Sequence, residues 1–177
     1  MKIYLAGSVP KGDKEALDYI DWRKDYFNIM SKLVDDIKII DPNDHYKLEG
    51  DTKALFGSVC LQIQESDFVL VNAESKLGAG TSMEMVIAKY LDKPVITVLP
   101  KDSAHRKSNL LFAGREVQEW IHPFVDSFSD SIIENVSEIE TAISRINENP
   151  IRKITIVDES MKYAQEMLNA LTPRTSL

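Results

Sequence analysis

The chain has 177 residues, 44% of them hydrophobic, with 28 acidic against 21 basic side chains and a formal net charge of −7. That length is enough to close one sizeable core, and the acidic balance excludes a nucleic-acid backbone or an anionic membrane as the main partner, because both require a basic face. The single cysteine, Cys60, excludes a disulfide framework and a thiolate zinc site.

The chain opens on the apolar run Ile3–Ala6 without a charged-then-apolar leader. No apolar run approaches the roughly 20 residues of a bilayer span, so a soluble, cytoplasmic protein is expected. Short runs rich in β-branched residues follow at Ile37–Ile40, Phe68–Val71 and Pro94–Leu99, and read as buried strands. Between them the apolar residues fall at helical spacing: Leu17, Ile20, Phe27, Met30 and Val34, then Leu55, Val59 and Ile63, then Met83, Val86, Ile87, Tyr90 and Leu91. The order β-α-β-α-β-α-β predicts an α/β fold, a parallel sheet with helices on both faces and ligands at the carboxyl ends of the strands. Beyond Pro100 the pattern predicts a polar loop from Lys101 to Arg115, a short apolar piece around Trp120 to Val125, and a helix from about Ser131 to Asn147. Residues 151–177 read as a strand-helix extension of the same single domain, with a strand at Lys153–Val157 and a helix from about Glu159 to Leu171.

Two turns at the ligand edge carry candidate chemistry. The first strand runs into Gly7-Ser8-Val9-Pro10-Lys11-Gly12, which lacks the Lys-Ser/Thr pair of a Walker loop and the spacing of a dinucleotide fingerprint. It is either an ordinary strand-to-helix turn or a site where Gly7, Ser8 and the following N–H groups bind a hydroxyl or 5′-phosphate. The third strand leads through Asn72 to Gly78-Ala79-Gly80-Thr81-Ser82-Met83-Glu84. The glycines admit a ligand close to the backbone, and the positive helix end would keep Glu84 ionised as a nucleophile. Thr81-x-x-Glu84 is equally a capping box, the reading given to Ser131-x-x-Glu134.

Taken together, Ile3–Ser8, Ser66–Asn72, Gly80–Glu84 and Lys93–Ile96 resemble the nucleoside 2-deoxyribosyltransferase family, which includes the 2′-deoxynucleoside 5′-phosphate N-hydrolases. The resemblance covers most of residues 1–100. It implies a flavodoxin-like or Rossmann-like fold, Glu84 as nucleophile on the sugar C1′ with Tyr4 beside it, a nucleoside or nucleotide as substrate, no cofactor, and a homo-oligomer. Gly7, Ser8, Asp41, Asn72, Gly78, Gly80, Thr81 and Ser82 are the expected substrate-binding residues. The mechanism expected is that of a retaining glycosidase, with a covalent glycosyl-enzyme resolved by a second base or by water.

One departure bears on activity. The family usually places an aspartate eight positions before Asp67, and this chain has Val59 there. Asp67 starts its strand, about 17 Å from the ligand edge at ~3.3 Å per residue, and cannot substitute. Asp41 and Asp44 lie at the correct edge as alternative proton donors, although Asp41-Pro42 also reads as a plain turn. Three readings stay open: a deoxyribosyltransferase, a 5′-monophosphate N-hydrolase, and a catalytically silent nucleotide-binding module. The basic run His105-Arg106-Lys107 is either solvated surface or a closing element with Arg106 as a phosphate fork. His45, His105 and His122 have no metal-ligand spacing, so no metal is expected. Trp22 and Trp120 read as packing residues.

Overall fold

The structure is a computed structural model, and it describes residues 1–10, 14, 15, 17, 19–42 and 50–171. The elements in chain order are β1 (Lys2–Ala6), α1 (Trp22–Met30), β2 (Lys38–Ile40), α2 (Thr52–Glu65), β3 (Phe68–Asn72), α3 (Ala79–Tyr90), β4 (Val95–Val98), β5 (Arg106–Phe112), β6 (Arg115–Ile121), α4 (Pro123–Phe128), β7 (Ser131–Ile133), a 3-10 turn (Val136–Glu138), α5 (Ile139–Glu148) and α6 (Ile156–Leu171). Five strands form one parallel sheet in the order β2-β1-β3-β4-β7, and β5 and β6 pair antiparallel as a separate ribbon. Among the sheet strands this is the 2-1-3-4-5 order of a flavodoxin-like fold, whose ligand crevice lies at the switch point between β1 and β3.

Strand alternation divides the core between the two faces. Ile3, Leu5, Phe68, Leu70, Ile96 and Val98 pack against Tyr26 and Met30 of α1 and Ile139 and Ala142 of α5. Tyr4, Ala6, Val69, Val71 and Val95 point the other way, onto Ile63 of α2 and Met85 and Ala88 of α3. Helices therefore cover both faces. Local signals set two of their starts: the Asp21 side chain accepts from Arg23 N–H at the head of α1, and Asp51 accepts from Ala54 N–H at the head of α2.

Several expectations change. The strand proposed at Lys153–Val157 is absent, and helix α6 already begins at Ile156. The helix expected from Ser131 is three pieces, because the buried run Ser131–Ile133 completes the sheet as β7. Ser131-x-x-Glu134 is accordingly no cap, and the capping box belongs to Asn135 and Glu138. The loop expected over Lys101 to Arg115 contains β5 and the tip of its hairpin. Leu17 and Ile20 lie ahead of α1 and are exposed, as is Phe27 within it, while Arg23, Tyr26 and Met30 face inward. In α3 the inward face is Thr81, Met85, Ala88 and Lys89, leaving Met83 and Tyr90, 55% and 75% exposed, on the outer side. Among the described residues no helix is long and apolar enough to cross a membrane.

Candidate active site

Tyr4 lies inside the sheet on β1, with Ile40 opposite it on one side and Val69 on the other. Its ring is fully buried on the α2/α3 face, and its hydroxyl donates to Glu84 Oε1 at 2.7 Å. Burial first, then the adjoining Glu84 carboxyl, holds the Tyr4 phenol well above its ordinary value, so the group stays a donor.

Glu84 does not cap its helix. The N-cap of α3 is Gly78, with no side-chain cap bond, so Thr81 is the third helical residue and Glu84 the sixth. That places the carboxyl one turn inside the helix, where it crosses to β1 instead of folding back on the terminus. Burial pushes it above the usual carboxylate range, against the opposing pull of the Tyr4 hydrogen bond and the Arg23 charge. Burial therefore opposes the ionised form that the positive helix end would favour. Glu84 Oε2 is buried without a hydrogen-bond partner among the described residues.

The turn after β1 is held from α1. A Cβ on Gly7 would stand 2.5 Å from Trp22 Cζ2, so the indole requires glycine there. The Ser8 side chain is exposed, and its carbonyl accepts from Tyr19 Oη at 2.9 Å, Trp22 Nε1 at 3.2 Å and Arg23 Nη1 at 3.2 Å. Arg23 is only 3% exposed, its Nη2 lies 3.5 Å from the Leu5 carbonyl and 3.4 Å from that of Gly7, and its Nε lies 3.3 Å from Asp41 Oδ1. Asp41 is thus an ion-pair partner, with its carbonyl accepting from Gln62 Nε2 at 3.3 Å. Lys11, Gly12, Asp44 and His45 lie outside the described residues.

The remaining candidates divide. Asn72 ends β3, where its Oδ1 accepts from Glu74 N–H at 3.0 Å in a turn. Gly78 and Gly80 are exposed and border open space, leaving room for a ligand against the first turn of α3. Thr81 is buried under the helix. Ser82 bonds back to the Gly78 carbonyl at 3.1 Å and faces a different cleft, of about 310 Å³, with Met83, Val86, His105, His122 and Phe124. Val59 packs against the apolar cluster around Tyr4 and Ile63 and brings no acid to the site. Arg106 is engaged by Glu119 at 3.4 Å and Glu134 at 3.3 Å, so it is not placed as a phosphate fork. His105 accepts from Leu77 N–H through Nε2 at 2.9 Å. Among the described residues no group of three or more His, Cys, Asp or Glu side chains is placed to hold a metal ion.

Arg23 was not singled out by the sequence reading. Its signal was its spacing from Met30: Arg23 stands seven residues before Met30 and three before Tyr26, on one helix face with both.

Comparison with known proteins adds little to this geometry. No family model and no curated protein matches the sequence. A solved structure described as that of a Clostridium botulinum CMP N-glycosidase, BcmB, is similar at 14% identity and a TM-score of 0.41, over 81% of this chain and 99% of that one, a likeness too slight to bear on function.

Proposed function

We propose that the chain attacks the N-glycosidic bond of a deoxynucleoside or its 5′-monophosphate through Glu84. The observation that carries this reading is the Tyr4–Glu84 pair: a buried carboxyl beside the β1/β3 switch point, with one oxygen fixed by a phenol and the other unpartnered among the described residues. The four sequence segments that resemble the deoxyribosyltransferase family support it independently.

The chemistry follows from the two oxygens. Tyr4 holds Oε1 and with it the carboxylate plane, leaving Oε2 to form a bond to C1′ as the C1′–N bond breaks. The bonding electron pair departs with the base, which must also gain a proton. Water or a second base then displaces Glu84 with net retention, giving hydrolysis or transfer. Only the ionised carboxylate is a nucleophile, so base release rises with pH through the elevated Glu84 titration and then levels.

A second reading is a binding module that retains the nucleotide cleft without turnover. It is favoured by Val59 in the apolar cluster and by Asp41 in its ion pair, which leave neither as a ready proton donor. One experiment separates the two. The pure protein and its Glu84→Gln variant are incubated with each deoxynucleoside and its 5′-monophosphate, with and without a free acceptor base, and free or exchanged base is followed by chromatography. Release that disappears in Glu84→Gln is the expected result. Release that persists in the variant overturns the nucleophile reading, and thermal stabilisation by ligand without any release supports the binding module.

A further inference from the structure

We propose that Arg23 is a positioning residue of this site: its guanidinium fixes the turn after β1 and supplies the fixed positive charge that favours the ionised form of Glu84. The inference rests on the reading of Glu84 as nucleophile and names the group that holds it in its reactive state.

The guanidinium is placed unlike an ordinary surface arginine. It is almost wholly buried, with its carbon 4.4 Å from the centre of the Trp22 ring. Its Nη1 donates to the Ser8 carbonyl at 3.2 Å and to Tyr19 Oη at 2.8 Å, and its Nη2 is directed at the carbonyls of Leu5 and Gly7. Three carbonyls within four residues are thereby gathered on one cation at the carboxyl end of β1, one strand residue beyond Tyr4. A planar fork with several donors can do this, whereas the compact ammonium of a lysine cannot.

The charge matters as much as the donors. A carboxyl buried as Glu84 is loses its ionised form unless something nearby compensates. Tyr4 contributes one hydrogen bond, and the Arg23 guanidinium, directed at the Leu5 carbonyl next to Tyr4 in β1, is a cation placed close enough for its charge to favour the carboxylate. The other charged group in this cluster is Asp41 after β2, paired with Arg23 and acting on Tyr4 in the opposite sense. From α2 the buried polar side chains are Ser58 and Gln62, both uncharged. From α3 the inward polar residues are Thr81 and Lys89, and the Lys89 ammonium is committed to Asp130.

The test titrates Glu84 in the free protein by carbon-detected NMR of its side-chain carboxyl, assigned by the signal lost in Glu84→Gln. In Arg23→Gln the midpoint moves upward by about one pH unit or more, as expected for loss of a nearby opposite charge. In Arg23→Lys the midpoint stays closer to that of the parent. Should Arg23→Gln not fold, Arg23→Met with Asp41→Asn keeps an apolar stem on Trp22 and strands no unpaired carboxylate, and it takes Asp41→Asn as its parent, so that only the guanidinium differs. A folded variant without the guanidinium whose Glu84 midpoint matches the parent overturns the proposal. Because the titration needs no substrate, it can fail while Glu84-dependent base release stands, and it can succeed where no release occurs.

Discussion

Tyr4 and Glu84 stand 80 positions apart in the chain and are joined by one 2.7 Å hydrogen bond between β1 and the second turn of α3. The bond satisfies one carboxyl oxygen and leaves the other buried with no partner among the described residues, so the fold carries an electrostatic cost there that packing alone does not require.

That cost predicts a stabilising substitution. Glu84 binds its proton more tightly in the folded than in the unfolded chain, so stability falls as pH rises from the ordinary carboxylate range through the raised value. Glu84→Gln imitates the protonated form and raises Tm at pH 7–8, by about 2–4 °C for each kcal/mol relieved. Below the ordinary carboxylate range the two proteins melt together. Thermal melts across pH check this, and equal melting temperatures at pH 8 would contradict it.

Gly7→Ala drives a methyl into the Trp22 ring at a position where both the strand end and the helix are fixed. The expected loss is about 1–3 kcal/mol in a urea unfolding experiment. Gly80→Ala, at a helical position with open space around it, costs nothing comparable.

The layered sheet was legible in the sequence because its four central segments are short, β-branched and bounded by polar turns, and periodicity reports such strands directly. Glu84 was legible as a candidate, but spacing alone could not separate a cap from a carboxyl that crosses to β1. That distinction depends on where the helix begins, and Gly78 rather than Thr81 begins it. The faces of α1 and α3 were misread because apolar residues outnumber the inward positions: Met83 and Tyr90 fit a helical stripe yet lie outside, while Lys89 lies inside. Ser131–Ile133 was missed as a strand because three residues give no alternation to read.

Lys89 and Asp130 form a buried ion pair with side-chain exposures of 0% and 5%. Asp130 also accepts from Val95 N–H at 2.7 Å and Arg152 N–H at 2.6 Å, whereas burial already disfavours the charged form of Lys89. Asp130→Ala therefore strands an ammonium and frees two backbone donors, for a loss of about 3–5 kcal/mol. Lys89→Met costs less, since the carboxylate keeps both N–H groups. A double-mutant cycle in urea reads the coupling, and additive losses would show that the pair does not act as a unit.

The hairpin β5–β6 closes through Ala113 and Gly114, with φ of 50° and 78°. A two-residue turn with both residues in this region normally uses Asn-Gly or Gly-Gly, which is why Ala-Gly gave no turn signal in the sequence. Ala113 bears a steric cost of about 1–2 kcal/mol there. Ala113→Asn or Ala113→Gly therefore strengthens the ribbon, seen as slower amide exchange at Leu110 and Val117, which pair across it. Unchanged exchange would mean that the turn does not limit its opening.

The same ribbon has no buried residue from Arg106 to Ile121, and at its base His122 N–H donates to the His105 carbonyl at 2.8 Å. The chain therefore leaves the sheet after β4 and returns toward β7 across one backbone hydrogen bond, with Arg106 and Ile121 anchoring the base of the ribbon to the body of the fold. Sequence beyond that base does not have to keep register with the sheet. Residues 107–119 are in this sense an appendix to the fold, where length and composition can drift over generations, or be replaced by a foreign peptide at Ala113–Gly114, while the strands carrying Tyr4 and Asn72 keep their alignment.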